Sequence, residues 1–366
     1  MRLFFDARYI RTDFHDGISR FSHELAHALV ATVPADVEIT FLIHDEAQRA
    51  FLPAGSAAHM FHAPTSAKEA IAARLLNKLR PDVVYSPMQT LGSAGRKFRL
   101  ILTLHDMIYY RHRTPPRNLP WVVRVGWRLF HLTYVPQRIT LNGADIVATV
   151  SEESRRQFAE VNLTKREVVV VHNAPQKLAE QLPAEAAVTG GVPQNLVYMG
   201  SFMPYKNVET LVRAMAYLPG RTLHVLSRIT PARRGEYEAL AAPDANIVFH
   251  NGVSDAEYAA LLADDGALVT MSLDEGYGLP VAEALELGVP AVVTDMPIFR
   301  EVAGNGALYV DPHDPKAVAD AVVALDDDAR RAEVIAAGQS HVARFTWERS
   351  AGVLLEAAQR LAASRG

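Results

Sequence analysis

The sequence predicts an α/β protein with two open parallel sheets, and three observations support this fold class. The chain has 366 residues, of which 49% are apolar, enough material for two hydrophobic cores. Short β-type runs alternate with amphipathic segments in each half, as is typical of parallel strands covered by helices. Between the halves, residues 176–194 are rich in Ala, Glu, Gly and Pro, which is typical of an exposed connector.

The individual elements follow from these runs. In the first half, strands are predicted at 3–5, 38–43, 83–85, 100–104, 146–150 and 168–171. In the second half, they are predicted at 196–199, 223–226, 246–249, 267–271 and 291–294. A helix is predicted to begin near Pro280 and to end near Gly288, because proline suits the first turn of a helix and glycine its end.

The same alternation predicts the domains. We expect an N-terminal domain at 1–178, a linker at 179–194, a C-terminal domain at 195–345 and a last helix at 346–366. Open parallel sheets bind their ligands at the carboxyl ends of the strands. A cleft between the two domains is therefore the expected ligand site.

The charge of the chain is uneven. Residues 1–180 contain 23 Lys and Arg against 17 Asp and Glu, a net +6, whereas residues 181–366 contain 14 against 24, a net −10. Residues 111–138 contain six arginines, two tryptophans and no acid, which suits contact with an anionic membrane surface. The alternative is a half-buried helix at 119–134 whose arginines are solvated. The acidic second half and the pI near 6.4 argue against nucleic-acid binding.

Cysteine usage and hydropathy predict the compartment. The chain has no cysteine, which excludes disulfides, thiolate metal ligands and a cysteine nucleophile. No apolar run reaches the roughly 18 residues of a membrane-spanning helix. Asp6 and Arg8 interrupt the N-terminus before a signal-type apolar core could form. We expect a cytoplasmic protein without a transmembrane anchor, with peripheral contact to the inner face of the cell membrane through residues 111–138.

The most informative motif spans residues 272–283, directly after a predicted strand. It places Glu275 in a loop and Glu283, eight residues later, in the first turns of the next helix. Gly276 and Gly278 allow a ligand to approach the backbone, and amides at a helix start attract phosphate. Two carboxylates around such an anion site match the two ends of a nucleotide sugar. The alternative is that Glu275 complements the helix dipole and Glu283 is a solvated helix residue.

This motif resembles the Glu-x7-Glu signature of the retaining glycosyltransferases of family 4, whose Glu-Gly-Phe-Gly-Leu-Pro context is matched here with Tyr277 in place of Phe. The resemblance to mannosyltransferase-like members extends to segments 16–20, 103–106, 149–155, 171–174, 198–207, 250–254, 301–312 and 345–348. It implies the GT-B architecture: two Rossmann-like parallel-sheet domains, an interdomain cleft and a last helix that crosses back onto the first domain. It also implies a metal-independent enzyme that retains anomeric configuration.

The resemblance also implies roles for individual residues. Lys206 is expected to stabilise the leaving diphosphate, and it is the obvious cation of segment 198–207 because Tyr205 replaces the family's usual arginine. Glu275 is expected to bind the sugar hydroxyls and His105 to orient the donor sugar. The other implied donor contacts are Gly17, Asp106, Val253, Gly276, Tyr277, Gly278, Leu279 and Glu283, the last of them on the ribose. From the residues alone, an alternative for the pair at 105–106 is that it caps its strand and the following turn.

The implied reaction is the transfer of a hexose. The expected donor is GDP-mannose, and the expected acceptor is a glycan or a lipid-linked molecule in surface polysaccharide assembly. No cofactor or metal is expected besides the nucleotide-sugar co-substrate. Two alternatives stay open: transfer of rhamnose or another hexose from a dTDP-, GDP- or UDP-sugar, and a noncatalytic nucleotide-sugar-binding partner.

Two other classes of enzyme are disfavoured. Residues 23–27 match His-Glu-x-x-His, a zinc-protease pattern, and the spacing places His23 and His27 on one helical face. Their helix, however, is the first crossover after the strand at 3–5 and needs its apolar residues against the sheet, and a third ligand is not evident. A nicotinamide dehydrogenase is disfavoured because Gly-x-Gly-x-x-Gly is missing after the first strand of either domain.

Overall fold

The chain divides into two compact units. The computed structural model describes residues 1–13, 16–115, 121–183 and 186–364. The first unit comprises Met1–Asn173 and the chain from Phe345 onward, and the second comprises Ala174–Arg344. Residues 174–178, which the sequence assigned to the N-terminal domain, thus group with the second unit, and Phe345 groups with the first.

Both units are built from strands and helices in alternation. The strands of the first unit are β1 (Arg2–Asp6), β2 (Glu38–Ile43), β3 (Ala57–Met60), β4 (Val83–Ser86), β5 (Arg99–Thr103), β6 (Ile146–Thr149) and β7 (Glu167–Val170). Those of the second are β8 (Asn195–Tyr198), β9 (Thr222–Val225), β10 (Asn246–Phe249), β11 (Gly266–Thr270), β12 (Ala291–Thr294) and β13 (Ala307–Val310).

The α-helices of the described residues follow the same division. Those before Ala174 are α1 (Gly17–Thr32), α2 (Ala72–Leu76), α3 (Ile108–Arg111), α4 (Trp121–Phe130), α5 (Val135–Asn142) and α6 (Glu152–Glu160). Those that follow are α7 (Val208–Ala214), α8 (Pro231–Glu238), α9 (Asp255–Ala263), α10 (Leu279–Leu287), α11 (Pro297–Ala303), α12 (Pro315–Ala324), α13 (Asp328–Val342) and α14 (Trp347–Ala363).

Each unit contains one parallel sheet, which confirms the predicted fold class. Within the described residues the strand order is β3-β2-β1-β4-β5-β6-β7 in the first unit and β10-β9-β8-β11-β12-β13 in the second. Every strand pair in both sheets is parallel. The order reverses between β1 and β4 and between β8 and β11. At such switch points the loops beyond the carboxyl ends of neighbouring strands diverge and leave a crevice for a ligand.

Two edge strands were missed in the sequence. β3 has the sequence Ala-Ala-His-Met and is only half-buried, so neither β-propensity nor hydropathy marks it. β13 has the sequence Ala-Leu-Tyr-Val, which is a better strand former. It lies at an edge of the second sheet, where it pairs with β12 only. The predicted linker is also less independent than expected, because Thr189 N–H donates to the Ala263 carbonyl at 3.0 Å and Gly191 N–H to the Asp265 carboxylate at 3.0 Å.

The switch point of the first sheet is filled by the protein's own charges. The Arg8 guanidinium donates to Asp6, from Nε at 2.7 Å, and to Glu69, from Nη1 at 2.8 Å, and both the Arg8 and Asp6 side chains are fully buried. Ser86 at the end of β4 donates to Asp6 at 3.0 Å, and His62 contacts Glu69 at 2.8 Å. A buried cation is thus compensated by two carboxylates from different segments of the chain, as a buried charge requires.

The last helix completes the core of the first unit. α14 packs along α1, and the ring of Trp347 meets that of Phe21 with centroids 5.8 Å apart. Ser350 Oγ donates to the His172 carbonyl at 2.6 Å. Leu354 is fully buried on the packed side of α14, whereas its neighbour Val353 is 38% exposed. The residues that follow the second unit in sequence therefore stabilise the first.

The packing of α14 predicts the effect of a core substitution. Leu354→Ala should destabilise the first unit by about 2–5 kcal/mol, because it removes buried methyl groups and leaves a cavity. All three tryptophans of the chain, Trp121, Trp127 and Trp347, lie in the first unit, so tryptophan fluorescence during urea unfolding reports on this unit. The matched control Val353→Ala should change the unfolding free energy by about 0.5 kcal/mol or less. Equal effects of the two substitutions would contradict the described packing.

Candidate active site

The candidate site of the second unit lies at the switch point between β8 and β11. The loop after β8 ends in a 3-10 turn, Pro204–Lys206, and the loop after β11 leads into α10. One main-chain hydrogen bond joins the two loops, from Leu273 N–H to the Tyr205 carbonyl at 2.7 Å. The parallel sheet therefore brings together two segments about 70 residues apart, at the position where this fold class binds ligands.

Lys206 and Glu275 form an ion pair at this junction. Lys206 Nζ lies 2.5 Å from Glu275 Oε1, and the two side chains are 16% and 14% exposed. The ammonium also lies 5.4 Å from the centre of the Tyr205 ring. Lys206 is thus not a solvated surface lysine. Because an ammonium has three N–H donors, the pair leaves Lys206 able to donate to a further anion.

A chain of hydroxyl groups orients Glu275 from the strand side. Ser272 Oγ donates to Glu275 Oε1 at 2.9 Å and lies 3.2 Å from Thr270 Oγ1 at the end of β11. Ser272 is fully buried. One oxygen of the carboxylate, Oε1, is therefore held by two donors, a hydroxyl and an ammonium. Sequence reasoning placed Ser272 in the motif but assigned it no role, since a serine among glycines and acids gives no specific signal.

The backbone of Lys206 is fixed by the next residue. Asn207 adopts the left-handed conformation, with φ of 49°, and ends the 3-10 turn. Its Nδ2 donates to the Pro312 carbonyl at 2.7 Å, and its Oδ1 accepts from Thr210 at 3.1 Å. Asparagine tolerates this conformation better than most residues with a side chain. Asn207 therefore connects segment 198–207, which contains Lys206, to the end of segment 301–312. The sequence analysis named these two segments separately.

The glycine-rich loop ends in a helix start that a side chain does not cap. Gly278 is the N-cap of α10, with φ of 95°, and Leu279 and Pro280 open the helix. A Cβ at Gly278 would lie 2.7 Å from Phe299 Cε1, so this position has neither the conformation nor the space for a side chain. Amides of a first helical turn lack intrahelical acceptors and carry partial positive charge. α10 thus presents an anion-attracting end beside this loop.

Two other residues of the motif are more buried than the sequence suggested. Glu283, in the second turn of α10, is 3% exposed, so it is not the solvated helix residue of the alternative interpretation. The Tyr277 ring is also 3% exposed, and burial raises the pKa of its hydroxyl. Gly276 lies between Tyr277 and Glu275.

Val253 lies in the loop between β10 and α9. Two left-handed residues, Asn251 and Gly252, turn the chain here, and Gly252 N–H donates to the Leu226 carbonyl at 2.7 Å. Ser254 caps α9 in a reciprocal arrangement with Glu257. Val253 is half-buried in this tied loop beyond the carboxyl end of an edge strand. Its main-chain groups belong to the same end of the second sheet as Lys206 and Glu275.

The first unit contains the remaining predicted residues. His105 follows β5, and its Nε2 lies 2.9 Å from the Pro87 carbonyl, which can only accept, so Nε2 bears the proton. The Phe21 ring meets the imidazole edge-on at 5.1 Å. Burial lowers the pKa of His105 below its ordinary value of 6.5, against a smaller opposing effect of the Pro87 hydrogen bond. The imidazole is thus neutral near pH 7, with Nδ1 as an acceptor.

Ser154 and Thr149 hold the main chain of His105 in place. Ser154 Oγ donates to the His105 carbonyl at 3.0 Å, and Ser151 caps α6 by accepting from Ser154 N–H at 3.0 Å. Thr149 Oγ1 donates to the same carbonyl at 3.4 Å. These residues belong to the segment at 149–155 that the sequence matched to the family. Their contacts give that segment a positioning role which spacing alone did not indicate.

Asp106 and Gly17 have different local roles. Asp106 Oδ1 accepts from Ile108 N–H at 2.9 Å, so this carboxylate caps the turn that starts α3. Gly17 is the exposed first residue of α1, whose N-cap Asp16 accepts from Ser19 N–H at 2.9 Å. A Cβ at Gly17 would meet nothing within 4 Å. The glycine is therefore not required by the fold itself, and it leaves open space at the start of a 16-residue helix.

The two histidines of the zinc-type motif share one carbonyl. His23 Nδ1 lies 2.8 Å and His27 Nε2 3.3 Å from the Phe51 oxygen, and the two rings are 4.4 Å apart. Burial lowers the pKa of His23. Within the part of the chain that the structure describes, no three His, Asp or Glu side chains are grouped so as to hold a metal ion.

Comparisons with known proteins agree with this geometry. The family model "Glycosyl transferase 4-like domain" matches residues 16–174, and "Glycosyl transferases group 1" matches residues 190–341. Among curated proteins, the chain is 36% identical over 295 residues to O-antigen chain mannosyltransferase RfbU of Salmonella typhimurium, covering 74% of this chain and 78% of that protein.

Two further similarities extend the comparison. The chain is 29% identical over 224 residues to O-antigen chain mannosyltransferase B of Escherichia coli, covering 57% of this chain and 59% of that protein, less than two thirds of its length. The crystal structure of Anabaena HepE in complex with UDP and glucose superposes with a TM-score of 0.70 at 14% identity, covering 98% of this chain and 99% of that one.

Two parallel-sheet units, with a glycine-rich loop and helix start at the switch point of the second, together with the two matching glycosyltransferase family models, define a glycosyltransferase of the GT-B type. The two family models, and the relative that matches three quarters of the chain, specify the family within this class. This chain belongs to glycosyltransferase family 4 and is similar to its mannosyltransferases.

The geometry of Gly278 predicts a loss of stability on substitution. Gly278→Ala should destabilise the second unit by about 1–3 kcal/mol, because alanine is strained at this φ and its Cβ would clash with Phe299. Urea unfolding followed by circular dichroism measures the loss, and tryptophan fluorescence, which reports on the first unit, should stay unchanged. Gly235→Ala is the matched control: Gly235 is an exposed residue within α8 with free space around it, so alanine should be neutral or stabilising. Equal losses for both variants would contradict the described loop.

The environment of His105 predicts a pH-dependent stability. In the unfolded chain this histidine binds a proton below about pH 6.5. In the folded unit its pKa is lower, so it binds a proton less readily, and acid therefore favours the unfolded state. The wild type should therefore lose stability as the pH falls from about 7.5 to about 5.5. His105→Gln should reduce that loss, measured as the shift of the urea midpoint by tryptophan fluorescence. The control His59→Gln, on edge strand β3, should retain it, and an unchanged pH dependence in the His105 variant would contradict the burial effect.

Proposed function

We propose that this glycosyltransferase transfers mannose from GDP-mannose to a glycan or lipid-linked acceptor, with retention of anomeric configuration, in surface polysaccharide assembly. The observation that supports the proposal most directly is the ion pair of Lys206 and Glu275 beside the start of α10. It combines a cation, a carboxylate and main-chain amides at the end of one parallel sheet. A sugar diphosphate offers the complementary groups: an anion and adjacent hydroxyls.

The diphosphate is proposed to bind between Lys206 and the glycine-rich loop. The Lys206 ammonium is mostly removed from water, so its attraction for a phosphate is less screened than that of a surface lysine. The amides of Gly276, Tyr277, Gly278 and Leu279 are proposed to add main-chain donors. Charge on the leaving phosphate grows as the glycosidic bond breaks, and groups already held in place stabilise that charge selectively.

The two glutamates are proposed to bind the two ends of the donor. Glu275 accepts from Ser272 and Lys206 through one oxygen and has lone pairs left for sugar hydroxyls. Glu283 lies eight residues further along the chain, in the second turn of α10, and is proposed to accept from the ribose hydroxyls. Main-chain groups near Val253 are proposed to contact the base. Gly17, with its open space, and His105 with Asp106 are the contributions proposed for the first unit.

The transfer itself is proposed to take place on one face of the sugar. The bond between the anomeric carbon and the phosphate oxygen breaks while the acceptor oxygen bonds to the same carbon from the same side. The acceptor hydroxyl proton passes to the leaving phosphate oxygen, so the reaction needs no other base. The neutral His105, whose Nε2–H is bound to Pro87, is proposed to orient the donor sugar. No metal ion enters this scheme.

The choice of mannose rests on the relatives. Both curated proteins described above are named as mannosyltransferases of O-antigen chains. HepE, which was crystallised with UDP and glucose, shares the fold at low identity and so does not favour a uridine donor for this chain. A thermal-shift comparison of GDP-mannose with UDP- and dTDP-hexoses tests the choice, because a ligand that binds the folded state raises the melting temperature.

Substitution of the ion pair tests both binding and chemistry. Lys206→Ala should lower kcat for turnover of GDP-mannose by about 100–1000-fold, the range for removal of one transition-state donor. Glu275→Ala should lower turnover comparably and also weaken the thermal shift by the sugar nucleotide more than that by GDP. Release of GDP measures turnover without a known acceptor, and it also distinguishes an enzyme from a noncatalytic nucleotide-sugar binder.

The matched control is Lys316→Ala, which removes another lysine of the second unit that pairs with a carboxylate, Asp320. That pair is exposed, so its loss should leave turnover within about twofold of wild type. Full turnover in the Lys206 or Glu275 variant would refute these roles. A larger thermal shift with a UDP- or dTDP-hexose than with GDP-mannose would refute the donor.

A further inference from the structure

The loop after β9 lies between two loops to which proposed donor contacts belong. The strands of the second sheet are ordered β10-β9-β8-β11 and pair in parallel, so the loops that follow them lie side by side at one end of the sheet. The loop after β10 contains Val253, and the loop after β8 contains Lys206. A nucleotide that reaches from Lys206 to Val253 would therefore pass the end of β9.

The loop from β9 to α8 contains one charged residue, Arg228, whose side chain is exposed. The residues on each side of it are tied to the neighbouring loops. Ser227 Oγ accepts from Gly200 N–H, in the loop after β8, at 3.2 Å. Ile229 N–H donates to Asn251 Oδ1, in the loop after β10, at 3.0 Å. The main chain of Arg228 is therefore held between the two loops.

The side chain of Arg228 lies against the main chain of Gly252. Gly252 has a φ of 107°, and a Cβ at this position would lie 3.1 Å from Arg228 Cγ and 3.4 Å from Arg228 Nε. A glycine here thus leaves room for the stem of the arginine. Val253 is the next residue along the chain. The Arg228 side chain therefore lies toward the loop after β10, on the side of β9 opposite the loop of Lys206.

This direction decides between two roles for Arg228 toward a nucleotide. One role is that of a second cation for the diphosphate, since Tyr205 replaces the arginine that is usual in the family beside Lys206. The other role is a contact with the base. Because the stem lies against Gly252, one residue before Val253, the geometry favours the base. A guanidinium has five N–H donors, so contacts with the protein leave donors for a ligand.

The chemistry of a guanidinium selects guanine among the nucleotide bases. Guanine presents two adjacent acceptors, O6 and N7, whose spacing fits the fork of N–H groups of an arginine. Adenine has an amino group, a donor, in place of O6. Thymine presents the single acceptor O4 on the corresponding edge, and uracil has the same carbonyl. Arg228 beside the base would therefore favour a guanosine nucleotide over the other three.

We propose that Arg228 determines the base specificity of the donor by donating two hydrogen bonds, to O6 and N7 of guanine. The inference rests on the proposed guanosine-diphosphate sugar and adds the residue that selects its base. The two loops are joined before any ligand binds, by the bond from Ile229 and by Gly252 N–H, which donates to the Leu226 carbonyl at 2.7 Å. Such prior ordering lowers the entropy cost of binding.

Isothermal titration calorimetry of the full chain with GDP, UDP and 7-deaza-GDP tests the proposal. In 7-deaza-GDP a C–H group replaces N7. The wild type should bind GDP at least about tenfold more tightly than UDP, and at least about fivefold more tightly than 7-deaza-GDP. Arg228→Ala should weaken GDP binding about 10–100-fold, leave UDP binding within about twofold, and bind GDP and 7-deaza-GDP equally. Arg228→Lys keeps the charge without the fork and should bind GDP at least about fivefold less tightly than the wild type.

The matched control is Arg330→Ala, which removes an exposed arginine of the same unit that pairs with Glu333 on α13. It should bind all three nucleotides as the wild type does. Because Arg228 and Arg330 are both exposed, the melting temperatures of the variants without ligand should stay close to that of the wild type.

The outcomes separate the base contact from other roles and from the choice of donor. Equal weakening of GDP and UDP by Arg228→Ala would assign this arginine to the phosphates and overturn the inference. A 7-deaza penalty that is absent in the wild type, or equally large in Arg228→Ala, would overturn it as well. In both cases a wild type that prefers GDP leaves the proposed donor intact. A wild type that binds UDP more tightly than GDP would refute the donor, and this inference with it.

Discussion

The hydrogen bond between Leu273 N–H and the Tyr205 carbonyl joins the two loops on which the candidate site is built. It follows from the order of the second sheet, in which β8 and β11 are neighbours although two other strands intervene in the chain. The parallel arrangement places both loops at one edge, and the hydrogen bond sets their register. Lys206 and Glu275 meet because of this constraint, and Ser272 and Asn207 then fix each of them separately.

The two sheets use their switch points differently. In the first unit, Arg8 takes the position beyond β1 and is fully buried among Asp6, Glu69 and the His62 carbonyl. In the second unit, Lys206 and Glu275 keep part of their surface exposed, and no side chain caps the adjacent helix α10. A sealed cluster satisfies all donors of its cation, whereas a partly exposed pair leaves donors for a ligand. The same architecture thus gives a sealed structural contact in one unit and a partly exposed ion pair in the other.

Much of the fold could be predicted from sequence because its signals are local. Buried strands such as β5, β6 and β11 are continuous apolar runs, and Pro280 and Gly288 mark the ends of α10 as expected. The edge strand β3 gave no such signal because half of its surface is exposed. In the site, the motif at 272–283 located Glu275 and the family resemblance located Lys206, but neither indicated their contact, which depends on the strand order. Ser272, Ser154 and Asn207 have roles that arise only from tertiary neighbours, so residue type alone did not reveal them.

The closed arrangement around Arg8 has an evolutionary consequence. Asp6 and Arg8 lie two residues apart, whereas Glu69 comes from a distant segment, and both carboxylates pair with Arg8. Loss of Arg8 leaves the buried Asp6 carboxylate without its cation, at a cost of about 3–5 kcal/mol, while joint replacement of the three residues by apolar residues of similar volume is close to neutral. Substitution of Arg8 alone is therefore expected to cost much stability, whereas joint substitution of the three residues costs little. Among relatives they should be inherited as a unit, either all charged or all exchanged.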